Sequence, residues 1–505
     1  MFAVSRLFGS SFTTWIASLA LTLVATLAEP SRADEIEPEP SNDAPVAETT
    51  PADAVPAKAP ADTAPPSPTV TTAAPGSHVH EVKPAPRRSA REVVEDIWAR
   101  EELTGDWRGL RTDLSDHGIT IGLRLTQYFQ DVTSGGVNQN NEAGGKMDYR
   151  LHVDGQKTFG LWPGLSFDLH AETRWGRDVM ADVGPITLPN TALLTPLPGN
   201  YSDSDITGLL ATQAFLDGRA AVVAGKLNVV DLETMLIPNT SFGQEGFSAT
   251  NGLATAWTFL RFVNLSMYGA GALLNDLEHG MVEGAFVAFG QSNVSTSWGI
   301  DDSFNDGVGF VGMWRFFWDA FDLPGNIVIA GAGSTKHYQS LEASPWTVIP
   351  GSDTTDFVLM LPSLSDNKKK PWGAVSYIYQ ELWNGGKGDP RKVYAFVGGS
   401  IADKNPSFAR WNTFASIEAM GPLPMRPDDR AGFSGWYTAV NDDVKDLLGS
   451  LPVPIDVGDS WGLEFYYNLA INRWLHITGD LQLVQNANKR DDIAVVPGVR
   501  FVIDF

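Results

Sequence analysis

Charged and hydrogen-bonding side chains recur at every second position in three successive segments of this chain. Arg124 lies on the first, Arg150 and His152 on the second, and Asp168, Glu172 and Arg174 on the third. Lys226 follows on a later one. Opposed rows of cations and carboxylates can hydrogen-bond hydroxyl groups and set up a transverse field. That is chemistry for holding and orienting a polar solute rather than transforming it. Catalytic readings of the same residues fail on spacing. On a strand, Asp168 and Glu172 would share a face about 13 Å apart, wider than a glycosidase pair requires. No Gly-x-Ser-x-Gly elbow, His-Glu-x-x-His helix or Walker loop occurs. Gly331 to Lys336 has glycines and a lysine at the wrong spacing for a phosphate cradle. Asp301, Ser303 and Asn305 open like a calcium loop, but Asp306 stands where glycine is needed and Gly312 where the closing glutamate belongs. The expectation is a chain that is not an enzyme and uses neither cofactor nor metal.

The elements that carry these residues read as strands. From Ile119 the apolar residues Ile119, Ile121, Leu123 and Leu125 alternate with Thr120, Gly122, Arg124 and Thr126. Met147, Tyr149, Leu151 and Val153 alternate with Lys146, Asp148, Arg150, His152 and Asp154. Leu165, Phe167, Leu169 and Ala171 alternate with Ser166, Asp168, His170, Glu172 and Arg174. The same period of two returns at 461–469, 475–483 and 499–505, where the chain ends on Phe505. Further strand text lies near 207–216, 219–228, 254–274, 308–316, 325–336, 372–382, 391–400, 408–418 and 431–440, for about sixteen strands in all. Asp442 to Leu448 reads as a short loop helix. Tight separators such as Asp217-Gly218 alternate with long ones at 176–205, 337–371 and 441–459.

Such strands, apolar on one face and charged on the other, suit a sheet closed on itself in a membrane. There every backbone polar group needs a partner, the outer wall must be apolar and the inner wall is wet. Tyr128, Phe129, Trp162, Trp175, Trp257, Trp298, Trp314, Trp372, Trp383, Trp411, Trp461 and Trp474 fall mostly near strand ends, as interfacial girdles do. The expected fold is an all-β transmembrane antiparallel β-barrel over 103–505, with outer-membrane lipid around it.

Composition agrees. The 505 residues carry a formal charge of −24, no cysteine, 43% hydrophobic residues and 16 Trp, 11 Tyr and 26 Phe. Zero cysteines exclude disulfides and thiolate sites, and the acidity argues against nucleic acid as a partner. A mean hydropathy of −0.10 does not fit a bundle of membrane helices, but it allows a barrel. Residues 1–33 read as a signal peptide: Arg6 precedes an apolar run from Trp15 to Ala28, with cleavage after Ala28 or Ala33. Residues 34–88 are rich in Pro and Ala and are expected to form a disordered periplasmic linker, with possible peptidoglycan or periplasmic contact. At 89–102, Val93, Val94, Ile97 and Trp98 share one face of an expected short amphipathic helix.

The run Leu103-Thr104-Gly105-Asp106-Trp107, followed by Gly109-Leu110-Arg111 and Gly118-Ile119-Thr120, resembles the opening of the carbohydrate-selective porin family of OprB type. Phe215-Leu216-Asp217-Gly218-Arg219 with Ala224-Gly225-Lys226-Leu227 resembles a later hairpin of that family. Asn239-Thr240-Ser241-Phe242-Gly243 and the terminal Phe505 are also similar to it. Arg108 stands where the family usually has a glycine, and Lys226 where it often has arginine. The resemblance, over about 103–505, implies a 16-stranded porin in a Gram-negative type outer membrane, exported by its signal peptide. It implies passive, facilitated diffusion of monosaccharides and small oligosaccharides through a water-filled barrel. Channel-lining and sugar-contact candidates are then Arg124, Arg150, His152, Asp168, Glu172, Arg174 and Lys226. Two other functions remain open on the residues alone: a general or structural outer-membrane barrel tethered to the periplasm, and a soluble secreted β-protein that binds or cleaves glycans.

Overall fold

The computed structural model describes residues 97–191, 202–231, 245–249, 256–259, 261–275, 282–291, 302–342, 347–350, 357–360, 368–450 and 456–505. The expected signal peptide, the expected linker and the Asn239–Gly243 motif lie outside them, as do residues 89–96 of the expected amphipathic helix. What is described of that helix is a single 3-10 turn, Ile97–Ala99.

Twenty strands follow in order: β1 Ile119–Asp131, β2 Asn141–Asp154, β3 Leu165–Gly176, β4 Ser202–Phe215, β5 Ala220–Asn228, β6 Ser266–Asn275, β7 Val282–Gly290, β8 Val308–Ala320, β9 Leu323–Ser334, β10 Tyr338–Gln339, β11 Thr347–Pro350, β12 Phe357–Met360, β13 Lys368–Lys369, β14 Trp372–Asn384, β15 Lys392–Ala402, β16 Ala409–Met420, β17 Arg430–Val440, β18 Ser460–Ala470, β19 Leu475–Gln485 and β20 Ala494–Asp504. Sixteen of them, β1–β9 and β14–β20, form one closed antiparallel barrel. β10 pairs with β13 and β11 with β12 inside the long segment between β9 and β14. The seam is closed by β1 against β20, with Arg124 opposite Asp504 and Gln130 opposite Gly498.

Several elements depart from the sequence reading. The stretch 254–274 is not one strand, because a helical turn at Ala256–Phe259 precedes β6. β7 was not anticipated, since Gly284-Ala285-Phe286-Val287-Ala288 has no polar alternation to signal it. A helix also stands ahead of β1, at Leu110–Asp116 (α1), within the family-like opening motif. Arg108, at φ 63, holds the left-handed conformation that a glycine would adopt without strain. Asp442–Gly449 (α2) is helical as expected and begins at an Asn441 cap whose side chain accepts from the Asp443 N–H.

The faces of the wall are inverted relative to a water-soluble protein. Phe129, Phe286, Trp314, Phe433 and Phe465 are about half exposed, whereas Lys146, Glu172, Glu464 and Arg500 are 5% exposed or less. A closed sheet with apolar residues outside and charges inside is what hydrocarbon selects. Trp162, Trp314, Trp372 and Trp383 are exposed as a girdle requires. Tyr128, expected among them, is instead on the inner face at 2% exposure, with the Arg500 guanidinium 5.7 Å from its ring. Its even position gives it the same side as Arg124 and Thr126.

One rim carries short turns, among them the two-residue Phe321–Asp322 turn with both φ positive. The other carries the long connections after β3, β5, β9 and β17. The ends of the described chain meet at the short-turn rim. Leu103 N–H donates to the Asp504 carbonyl (2.8 Å), and Arg111 Nη2 to the Phe505 carbonyl (2.7 Å). Trp98 stacks on Trp474 at 6.1 Å, and Trp474 Nε1 donates to the Ile97 carbonyl.

Candidate functional site in the barrel lumen

The inner faces of β2 and β3 bring together the densest set of charges. Register places Asp148 opposite Glu172 and Lys146 opposite Arg174. Lys146 Nζ lies 3.0 Å from Asp148 and 3.1 Å from Glu172. His170 Nε2 is 2.9 Å from Asp148, and its Nδ1 is 2.7 Å from Asp231. A carboxylate thus stands at each ring nitrogen. Arg150 Nη2 donates to the other oxygen of Asp231 at 2.7 Å. Asp231 follows β5, outside the wall. Burial pushes its carboxyl up, but Arg150 and His170 outweigh that and hold it well below the usual carboxylate range. Asp148, His170 and Glu172 present ligand atoms close enough for a metal ion. The Lys146 ammonium stands between two of them and supplies the positive charge of a salt-bridge network.

A second set of charges surrounds a piece of the β5–β6 connection. Residues 245–249 lie inside the barrel, with Phe247, Ser248 and Ala249 buried. Glu464 on β18 accepts the backbone N–H groups of both Ser248 and Ala249. Arg500 on β20 donates to Ser248 Oγ at 3.1 Å and to the Gly246 carbonyl at 2.6 Å. The Ser248 carbonyl accepts from both the N–H and the hydroxyl of Thr191. Phe247 meets Tyr466 edge to face at 4.7 Å. It also fills the space over Gly432, where a Cβ would come within 2.7 Å of its ring. Glu245, at one end of the piece, lies 3.5 Å from Arg124 and 3.2 Å from Arg430.

The sequence-derived candidates divide among these places and do not form one ring. Arg124 holds Asp504 bidentately (2.6 and 2.9 Å) across the seam and reaches Glu245. Arg150 and Glu172 belong to the β2–β3 network. His152 pairs with Asp168 at 2.7 Å near the short-turn rim. Arg174 pairs with Asp178 at 2.9 Å. Lys226 is buried, but by register it sits opposite Leu209 and Tyr268, with the parity of the exposed Val222 and Ala224. A bend at Gly225 (φ 140) separates it from them, and two residues on, Asn228 reaches His170 Nδ1 at 3.3 Å. Sequence reasoning did not single out Lys146, Asp148 or His170, although all three lie on the polar parity of their strands. Glu245, Asp231 and Arg430 gave no periodic signal, because the first two sit in a connection and Arg430 opens its strand.

Comparison with known proteins now adds a family. The sequence pattern described as the carbohydrate-selective porin, OprB family, matches residues 140–505. The high-pH structure of Pseudomonas putida OprB is similar over 81% of this chain and 100% of its own, with a TM-score of 0.68 and 18% identity. The low-pH structure of the same protein covers 81% and 99%, with a TM-score of 0.51 and 16% identity. At these identities the structural likeness supports the barrel fold. A search of curated proteins finds no match.

Proposed function

This chain belongs to the carbohydrate-selective porin family, OprB, and is a sugar-passing porin of the outer membrane; we propose that the partly exposed charges of its inner wall are the groups a sugar meets on its way through. The observation that carries this reading is the division of the inner charges by exposure. The side chains of Arg124, Arg150, His152 and Asp168 are 31%, 52%, 31% and 44% exposed, against 1% for Glu172 and 12% for Arg174. The first four have surface left to bond a hydroxyl as a sugar sheds part of its hydration. Glu172 and Arg174 hold the wall that presents them.

The sugar moves by facilitated diffusion, down its own gradient, through a water-filled passage sized for monosaccharides and small oligosaccharides. Export by a signal peptide at 1–33 and periplasmic contact through 34–88 complete the proposal. Their support is the apolar run before Ala28 and the proline-rich composition after it. The test is single-channel conductance of purified protein in a planar bilayer, titrated with glucose. Saturable block is expected, with the half-blocking concentration raised roughly threefold to tenfold in Arg124→Gln and Arg150→Gln, the loss of about one charged hydrogen bond each. Identical block in both variants would remove these residues from the sugar path.

A further inference from the structure

Glu245 is the one carboxylate that the inserted piece 245–249 carries, and it ends between two arginines from opposite sides of the seam. Arg124 reaches it from β1 at 3.5 Å and Arg430 from β17 at 3.2 Å. None of the three is sealed away: their side chains are 19%, 31% and 24% exposed. Arg124 has a second partner in Asp504, bonded through two nitrogens. Arg430 has no other carboxylate within ion-pair distance among the described residues. Glu418, on the neighbouring β16, accepts from the Tyr466 hydroxyl at 2.6 Å. The balance of charge at this level of the lumen therefore turns on Glu245.

Resting on the reading of the chain as a sugar-passing porin, we propose that Glu245 is a specificity-determining residue: it fills an arginine cradle that would otherwise take the carboxylate of an acidic sugar, and so biases the pore toward neutral sugars over uronates. A uronate carries a planar two-oxygen anion of the same kind as the glutamate side chain. Arginine binds such an anion through paired N–H donors. While Glu245 occupies the cradle, a uronate must displace it and also approach its negative charge. Glu245→Gln keeps the length and shape of the side chain while leaving Arg430 without an ion-pair partner among the described residues. The energetic lever is modest in a wet lumen, where two charges a few ångströms apart interact weakly but selectively.

The experiment measures two quantities on full-length wild type and Glu245→Gln in planar bilayers. The first is the zero-current potential in a potassium chloride gradient. The second is the ratio of half-blocking concentrations for glucuronate and glucose. Glu245→Gln is expected to shift the anion-to-cation permeability ratio roughly three- to tenfold toward anions and to lower the glucuronate-to-glucose ratio by a similar factor. An unmoved zero-current potential together with an unmoved block ratio would overturn the proposal. Glu464→Gln serves as the structural comparison, since it loosens the same piece without touching the cradle. If both variants raise conductance alike and neither changes ion preference, Glu245 acts only as a fastener and the proposal fails. If glucose does not block wild type at all, the sugar-contact reading fails, while the zero-current potential still decides the role of Glu245.

Discussion

Lys146 is held between Asp148 and Glu172 with its side chain 7% exposed, so its charge is inseparable from theirs. Replacing it by methionine would fill the same space and leave Glu172 as a buried anion with its cation gone. Asp148 would keep His170. Breaking a buried pair by removing one member typically costs about 3–5 kcal/mol. Lys146→Met is thus expected to lower the urea midpoint of the detergent-solubilised barrel clearly. Lys146→Met with Glu172→Gln should recover a large part of that loss. Equal midpoints for the single and double variants would mean that the lysine's packing matters and its charge does not. The parity that put such residues on one face was legible in the sequence, because a period of two assigns Arg124, Lys146, Arg150 and His170 to a side without any knowledge of the partner strand. Their pairings were not legible. Which cation meets which carboxylate depends on register and on loops that fold back, as Asp231 does onto Arg150 and His170. Lys226 shows the converse. Its polarity suggested the lumen, but in Ala220-Ala221-Val222-Val223-Ala224-Gly225 there is no alternation to say which parity faces in, and the bend at Gly225 interrupts the run.

At the scale of elements, the loops are fastened to the wall by a few charged contacts, and α2 offers a clean case. Asp459, at the end of the β17–β18 connection, accepts from Lys445 Nζ at 2.7 Å and from the Tyr437 hydroxyl at 2.5 Å. It also receives the Val440 N–H at 3.1 Å. Burial pushes its carboxyl up, but these donors outweigh burial and hold it below the usual range. A carboxylate depressed in the folded state stabilises fully above its unfolded pKa, and the contribution fades as pH falls through that value toward the folded one. Hydrogen exchange across 442–450, corrected for intrinsic rates, should therefore show protection that is steady at neutral pH and declines below about pH 4. Asp459→Asn should be less protected at pH 7 and should have lost the acid-dependent step. Equal protection of the two proteins at pH 7 would contradict this fastening role. Strand elements were legible wherever polar and apolar residues alternate, and α2 was legible from its charge pattern. β7 was hidden because small and apolar residues occupy both of its faces. α1 was hidden inside a motif whose glycines read as turn text. The piece 245–249 was hidden because nothing in Glu-Gly-Phe-Ser-Ala says that Glu464 and Arg500, more than two hundred residues later, will receive it.

For the whole molecule, closure of the barrel is accounted for by contacts among the described residues. β1 pairs with β20 along seven residues, from Arg124 to Gln130. The short-turn rim is clasped by Leu103 on Asp504 and by Arg111 on Phe505, with Trp98 against Trp474. Closure is the condition for stability in hydrocarbon, since an open edge would leave backbone groups without partners. Deleting 34–88 while keeping the leader and residues from 89 onward should therefore leave a barrel with wild-type single-channel conductance and wild-type glucose block. If the proline-rich stretch serves as a periplasmic linker, the same deletion should reduce co-sedimentation with isolated peptidoglycan. These two readouts separate the pore from its attachment. Lost conductance in folded, inserted protein would show that the stretch enters the permeation path. Preserved conductance with unchanged sedimentation would confine the protein's envelope contacts to the barrel itself.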